Sequence, residues 1–315
     1  MGKVLIALFY LTRARARVMR GDVSAPSTSL HYQSVVDVSS GVTSTDSGDE
    51  SNPVAEGFFD LANAAVVKYS VGTGSHSSDL LVEQDQSLHD SCGGIVWESA
   101  FCLSQYLERN AGTLVKGKNV LELGAGAGLV GMVCKRLGAK KVTLTDHPNA
   151  MPLLRRNIER NFKGNDDDKN DNDVTYLPLD WTDSTQLKAV TENGPYELVV
   201  ATDVVFAKEL VQPMMNCIQK ACESSRNPVI LIALQERCPD AFAHFKAVSK
   251  QSYGNGYKEV PKSEVKFVDD ACVLFELRRN NDEKSKRKKR KSNADDPIET
   301  SKSRKKDKRE KKEKR

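Results

Sequence analysis

The sequence predicts a doubly wound α/β fold, with a mainly parallel seven-stranded sheet whose last strand runs antiparallel, preceded by a small N-terminal hairpin and a helix. Three observations predict it. From about residue 119 onward, short runs rich in Val, Leu and Ile alternate with amphipathic stretches, and repeated β-α units imply a parallel sheet covered by helices on both faces. The first of these runs, Asn119–Leu123, breaks into a glycine-rich turn, Gly124-Ala-Gly-Ala-Gly128. Near the C-terminus, Tyr257–Val260 and Ala271–Leu277 follow one another with no helix between them, which implies a terminal hairpin and hence the antiparallel last strand.

The elements follow in order. Ala64–Ser70 and Asp79–Gln84 read as strands around a Gly/Ser turn. From Gly94 to Asn110, the spacing of Ile95, Ala100, Leu103, Tyr106 and Leu107 predicts a helix. Asn119–Leu123, Lys141–Thr145, Val174–Pro178, Glu197–Ala201 and Pro228–Leu234 are expected strands. Ala127–Leu137, Asn149–Asn161, Glu209–Cys222 and Asp240–Lys250 are the expected helices. Asn165–Asp173 (NDDDKNDND) lacks the turn glycine and closing glutamate of a calcium loop, so a solvated insertion is expected and no metal site.

Charge is unevenly spread. Residues 281–315 carry 17 Lys/Arg against 8 Asp/Glu, so the chain's net +4 leaves residues 1–280 mildly acidic. That argues against a nucleic-acid-binding core, which needs a basic face on the domain itself. The seven cysteines are odd in number and none is spaced Cys-x-x-Cys. Reduced, mostly buried thiols are expected, which points to the cytosol or nucleus. Residues 21–57 are rich in Ser, Thr, Asp and Gly and are expected to be disordered. The resulting division is a disordered leader over 1–57, one catalytic domain over 58–280 and a disordered basic tail over 281–315, with a monomer expected.

The two ends give conflicting addresses. Val4–Leu11 is apolar for only eight residues, against about 20 needed to span a bilayer, so no membrane association is expected. Arg13, Arg15, Arg17 and Arg20 follow with no acid before Asp22, as in a mitochondrial presequence; an untargeted leader is the alternative. Lys284–Lys291 (KSKRKKRK) and Lys302–Arg315 form basic clusters of the kind read by import receptors or attracted to RNA. The tail signal is longer and denser, so a nuclear or cytoplasmic location is expected.

The stretch from Val120 to Gly128 is a strand entering a glycine-rich turn and then a helix. Gly124 and Gly126 allow the backbone to approach a ligand without Cβ clashes. Asp146 ends the next strand, where a carboxylate can accept from two ribose hydroxyls, and ligands of open α/β sheets bind at such strand ends. Gly126-Ala-Gly-Leu-Val-Gly131, with Asp146 twenty residues past Gly126, also fits the dinucleotide fingerprint, so an NAD-dependent oxidoreductase stays open. Glu122, inside the strand, is an acid that would repel a pyrophosphate and tolerate a cationic ligand.

Two further motifs fit methyl transfer better: Leu179-Asp180-Trp181 after the third strand and Ala201-Thr-Asp-Val-Val-Phe206 after the fourth. Together with Val96-Trp97-Glu98-Ser-Ala ahead of the glycine loop, the set resembles the seven-β-strand protein-lysine methyltransferases that modify chaperones, elongation factors and the valosin-containing AAA ATPase. The resemblance runs from about Phe58 to Arg279, some seven-tenths of the chain. It implies a Rossmann-like methyltransferase fold, S-adenosyl-L-methionine as cofactor, and the side-chain amine of lysine on a protein as acceptor. It also implies roles. Trp97 closes over the methionine side of the cofactor; Gly124, Ala125 and Gly126 pass under it; Asp146 holds the ribose. Trp181 flanks the adenine and Thr202 touches the cofactor through its backbone. Asp203 and Phe206 match the family's Asp-x-x-Tyr/Phe signature at the substrate mouth, as the catalytic pair.

Each role has a structural rival. Trp97 anchors a helix, Trp181 packs on the sheet edge, Asp203 caps the following helix, and Phe206 is core. Phe206 also replaces the Tyr often found there, which removes a hydroxyl able to orient the amine. The chemistry implied is transfer of a sulfonium methyl to a neutral amine. A free lysine, with a pKa of about 10.4, is deprotonated in under roughly one molecule in a thousand at neutral pH, so the site must desolvate and align it. Asp203 is the expected anchor of the ammonium, and Phe206 an aromatic wall for it. Glu236, in Leu234-Gln-Glu-Arg237, is a second candidate. A methyltransferase acting on RNA or a small molecule is the nearest rival, weakened by the lack of an Asn/Asp-Pro-Pro-Tyr-type motif and by the acidic body.

Overall fold

The computed structural model describes residues 35–37, 61–72, 77–88, 93–162, 173–265 and 271–279. The expected insertion except Asp173, the tail, Cys92 and most of the leader lie outside them. The strands are β1 (Val35–Asp37), β2 (Val66–Val71), β3 (Ser78–Glu83), β4 (Asn119–Leu123), β5 (Lys141–Asp146), β6 (Val174–Pro178), β7 (Leu198–Thr202), β8 (Val229–Gln235), β9 (Tyr257–Glu259) and β10 (Cys272–Arg278). The helices are α1 (Glu98–Arg109), α2 (Ala111–Leu114), α3 (Leu129–Arg136), α4 (Met151–Phe162), α5 (Ser184–Glu192), α6 (Lys208–Ala221), α7 (Pro239–Tyr253) and α8 (Lys262–Val265).

Seven strands form the main sheet in the order β6-β5-β4-β7-β8-β10-β9. β4, β5, β6, β7 and β8 are parallel, while β10 runs antiparallel to β8 and to β9. This is the seven-stranded, mainly parallel arrangement with an antiparallel last strand that the sequence predicts. Both faces are covered, so successive residues of one strand feed different cores. Val120, Leu198, Val200, Leu231 and Leu274 pack on the side of α1, α3 and α4. Leu121, Leu123, Val199, Ile230 and Phe275 pack against α6 and α7. Two-sided burial explains why these strands read as continuous apolar runs rather than as alternating patterns.

Register places the site. Leu123 pairs with Ala201, so the turns leaving β4 and β7 emerge side by side. Asp146 pairs with Pro178, which sets the segment after β6 level with the end of β5. After β6 the chain crosses back to β7 on the other side of β4, and this reversal is the switch point at which open α/β sheets bind ligands.

The hairpin β2–β3 belongs to a second, three-stranded sheet in the order β1-β2-β3. Two asparagines of α4 dock its edge. Asn161 Oδ1 accepts from Leu81 N–H and its Nδ2 donates to Leu81 O, each at 2.9 Å. Asn157 repeats the pattern at Glu83 and also donates to Ala127 O in the glycine-rich turn. Gln84 then donates to the carbonyls of Leu61 and Ala64 and accepts from Val96 N–H at 2.7 Å. These bonds fix the approach to Trp97.

Four expectations need correction. Val35–Asp37, within the leader read as disordered, is a strand paired in parallel with Val66–Lys68. The first helix starts at Glu98, because Gly93–Val96 forms a turn in which a Cβ on Gly94 would stand 2.0 Å from Asp85 O. The helix α5 was not expected. The terminal strands are separated by the short helix α8.

Candidate functional site

A cavity of about 260 Å³ opens at the carboxyl ends of the central strands, and Trp97, Gly124, Ala125, Gly126, Asp146, Trp181, Thr202, Asp203 and Phe206 all line it. These nine residues therefore reach one place, although they come from five separate segments.

The floor is the turn after β4. Gly124 and Gly126 have φ of 64° and 54°, the left-handed region that L side chains avoid. A Cβ on Gly124 would stand 2.7 Å from Val204 Cγ1, and one on Gly126 would stand 3.1 Å from Gly93 O. Each glycine is thus required by its left-handed backbone and by the close packing of Val204 and Gly93 against the turn. Gly126 N–H donates to Asp146 Oδ2 and His147 N–H to Asp146 Oδ1, both at 2.6 Å. Asp146 is held rigidly, with one donor on each oxygen and further lone pairs toward the cavity. Burial raises its pKa; the two backbone N–H groups oppose that shift.

Glu122 corrects the electrostatic argument made from sequence. Its carboxyl is fully buried beneath the turn and accepts from Gly131 N–H at 2.8 Å. Burial pushes its pKa up to about 8, so at neutral pH it is mostly uncharged and does not repel a pyrophosphate as an anion. It acts differently. Gly131 sits in the first turn of α3, and by occupying that N–H the carboxyl removes one of the donors a helix N-terminus offers a phosphate.

The far wall is aromatic. The rings of Trp181 and Phe206 lie 6.4 Å apart at 40°. Phe206 is 48% exposed, so its reading as core is corrected: it stands at the cavity mouth. Trp97 immediately precedes α1 and, like Trp181, is partly buried.

Asp203 does not take the helix-cap role weighed for it, and its carboxylate is already engaged. It caps no helix, since α6 begins at Lys208 behind Ala207. Nor is its carboxylate vacant. Oδ1 accepts from Gln235 N–H at 2.9 Å and Oδ2 from Arg237 at 3.1 Å, with the side chain only 5% exposed. Its own N–H donates to Ala233 O, and it adopts φ of 49°. Arg237 also pairs with Glu98 at 2.7 Å and lies 4.5 Å from the centroid of the Trp97 ring.

Glu236, the second candidate, is exposed and outside the cavity lining. The engaged residue is its neighbour Arg237, which the sequence reading quoted without a role, as it did Glu98. No spacing signalled it, because the chain leaves β8 at Gln235 and bends at Arg237, whose N–H donates to Gln235 O at 2.9 Å. Among the described residues no cluster of His, Cys, Asp or Glu is arranged to hold a metal ion, and no helix is long and apolar enough to cross a membrane. Cys102, Cys134, Cys217, Cys222 and Cys272 are buried and Cys238 is partly buried, and none of them is in a disulfide among the described residues.

Comparison with known proteins agrees with this geometry. A family model described as lysine methyltransferase matches residues 75–251. Protein N-lysine methyltransferase METTL21A of Mus musculus is 34% identical over 143 residues, covering 45% of this chain and 61% of that protein. Protein N-terminal and lysine N-methyltransferase EFM7 of Yarrowia lipolytica is 34% identical over 146 residues, 38% of this chain and 53% of that protein. The chain thus spans between half and two thirds of the length of these relatives. The family match covers more than half of the chain, from the small sheet through the glycine turn to α7. The chain belongs to the lysine methyltransferase family.

Proposed function

We propose that this chain transfers a methyl group from S-adenosylmethionine to the side-chain amine of a lysine on another protein. The observation that carries the reading is the convergence of Trp97, Gly124–Gly126, Asp146, Trp181, Thr202, Asp203 and Phe206 on one cavity at the switch point of the sheet. The residues fit the cofactor. The glycine turn leaves room for a backbone-level approach, Asp146 offers acceptors to ribose hydroxyls, and Trp181 offers a flat face for an adenine. When bound, S-adenosylmethionine supplies an electrophilic methyl on a sulfonium.

The chain's own groups do the rest. Trp97, Trp181 and Phe206 exclude water and favour a cationic amine over bulk solvent. Asp203 attracts the ammonium through the charge left after its pairing with Arg237, and orients its nitrogen. The amine's proton passes to bulk water before transfer, because only the neutral amine carries a lone pair for the new bond. The fungal relative is also named for N-terminal methylation, and an α-amine meets the same requirements, so it is the second acceptor to consider.

The acidic balance of residues 1–280 and the basic runs of 281–315 favour an enzyme of the cytoplasm or nucleus. Its tail contacts an import receptor or RNA rather than forming part of the active domain. The test is incubation of the protein with labelled S-adenosylmethionine and a cell extract, followed by separate protease and nuclease digestion and by amino-acid analysis. Label recovered as ε-methylated lysine is expected. Label released by nuclease alone, or confined to α-amines, contradicts the lysine reading.

A further inference from the structure

Arg237 stands behind the cavity wall rather than in it. One guanidinium nitrogen donates to both Glu98 and Asp203, and its plane backs the Trp97 ring, while the buried Nε has no hydrogen-bond partner among the described residues. It thus ties together three segments: the start of α1, the turn after β7 and the turn after β8. Two carboxylates and one guanidinium leave a single negative charge, shared between Glu98 and Asp203. Of the three, only Asp203 lines the cavity. The other carboxyl groups lining it include Asp146 and Glu122 on the glycine-turn side and Asp180 beside Trp181.

The arrangement answers a chemical conflict. An unpaired carboxylate as buried as Asp203 holds an ammonium tightly and keeps it protonated, since a close opposite charge favours the charged form. Methyl transfer needs that same nitrogen neutral. A carboxylate already accepting from a guanidinium and from Gln235 N–H draws the ammonium in with a weaker grip. The planar guanidinium lies against the Trp97 ring while one of its nitrogens serves both carboxylates, and the compact ammonium of Lys has no plane to stack in this way.

We propose that Arg237 is a positioning residue for the acceptor amine: by clamping Asp203 and Glu98 and backing Trp97, it sets how strongly the cavity holds a primary ammonium. This rests on the methyl-transfer reading above. Glu98 supports it from the other side, because desolvation raises its pKa while Arg237 lowers it, so its charge depends on the clamp.

The test uses n-butylammonium as a lysine mimic, titrated into the full chain with and without S-adenosylhomocysteine. Fluorescence of Trp97 and Trp181, the chain's two tryptophans, reports binding. Arg237→Gln is expected to tighten n-butylammonium several-fold by releasing Asp203. Glu98→Gln, which leaves Arg237 to Asp203 alone, is expected to weaken it several-fold. Opposite signs are the signature, since a merely structural role makes both variants bind worse. Equal or weaker amine binding by a folded Arg237→Gln overturns the proposal. Should that variant fail to fold, Arg237→Lys replaces it, and equal or weaker amine binding by that folded variant overturns the proposal. A wild-type chain that takes no S-adenosylhomocysteine contradicts the methyl-transfer reading instead, while the amine titration still decides the role of Arg237.

Discussion

Asp203 and Arg237 are joined by an ion pair of 3.1 Å in which the aspartate is almost entirely buried and the arginine also serves Glu98. The residue that carries the family signature is therefore one half of a pair before any substrate arrives. Asp203→Asn tests what its charge contributes. Asparagine keeps an acceptor for Gln235 N–H and nearly the same shape, so the fold and the turn are retained. Turnover is expected to fall roughly tenfold or more, equivalent to about 1.4 kcal/mol of barrier, while S-adenosylhomocysteine affinity stays within a few-fold. A stable variant with wild-type turnover removes Asp203 from the catalytic pair, and melting temperature must be measured beside the kinetics.

Asp146→Ala addresses the cofactor alone. The carboxylate is fixed by Gly126 and His147 N–H groups, and its loss removes charge-assisted hydrogen bonds to a ribose, at a cost on the order of 1.5–3 kcal/mol in affinity. Calorimetry with S-adenosylhomocysteine measures it. Unchanged affinity means that Asp146 does not hold the ribose.

Gly124→Ala tests the floor. The added Cβ meets Val204 Cγ1 at 2.7 Å, at a backbone with φ of 64°, so the turn has to shift as well as strain. Destabilisation of about 1–3 kcal/mol is expected together with weaker S-adenosylhomocysteine binding. A variant with unaltered melting temperature and affinity shows that the turn has slack to spare.

Glu122 predicts a pH dependence of stability. Its pKa rises from an ordinary 4.5 to about 8 in the folded chain, so between those values the folded state binds more protons than the unfolded one. Stability from this group is full below about pH 4.5 and is lost as pH rises toward 8. Glu122→Gln keeps an acceptor for Gly131 N–H and cannot ionise. The melting temperature of the variant relative to wild type is expected to rise from pH 5 to pH 8, by the equivalent of about 2 kcal/mol or more. A difference that stays flat with pH contradicts burial of a neutral carboxyl.

Much of this fold was legible because its strands are buried on both faces and its turns need glycine. Val120–Gly128 announced a strand, a left-handed turn and a helix in one stretch, and the structure reproduces it to within two residues. The helix α5 escaped because Val190 is its one buried residue, so no apolar stripe marks it. Val35–Asp37 escaped because three residues amid Ser and Asp carry no period. The nine cavity residues were legible as motifs, but their partners were not. That Asp203 pairs with Arg237, or that Glu122 accepts from Gly131 N–H, depends on side-chain direction across non-adjacent segments. No spacing in the sequence encodes that.

The account stands most directly on which nucleotide the cavity accepts, and one calorimetric comparison decides it. Wild-type protein is expected to bind S-adenosylhomocysteine in the micromolar range, with affinity falling in Asp146→Ala, and to give no heat with NAD. Micromolar binding of NAD with no response to S-adenosylhomocysteine would contradict it and return the glycine turn to the dinucleotide-binding reading.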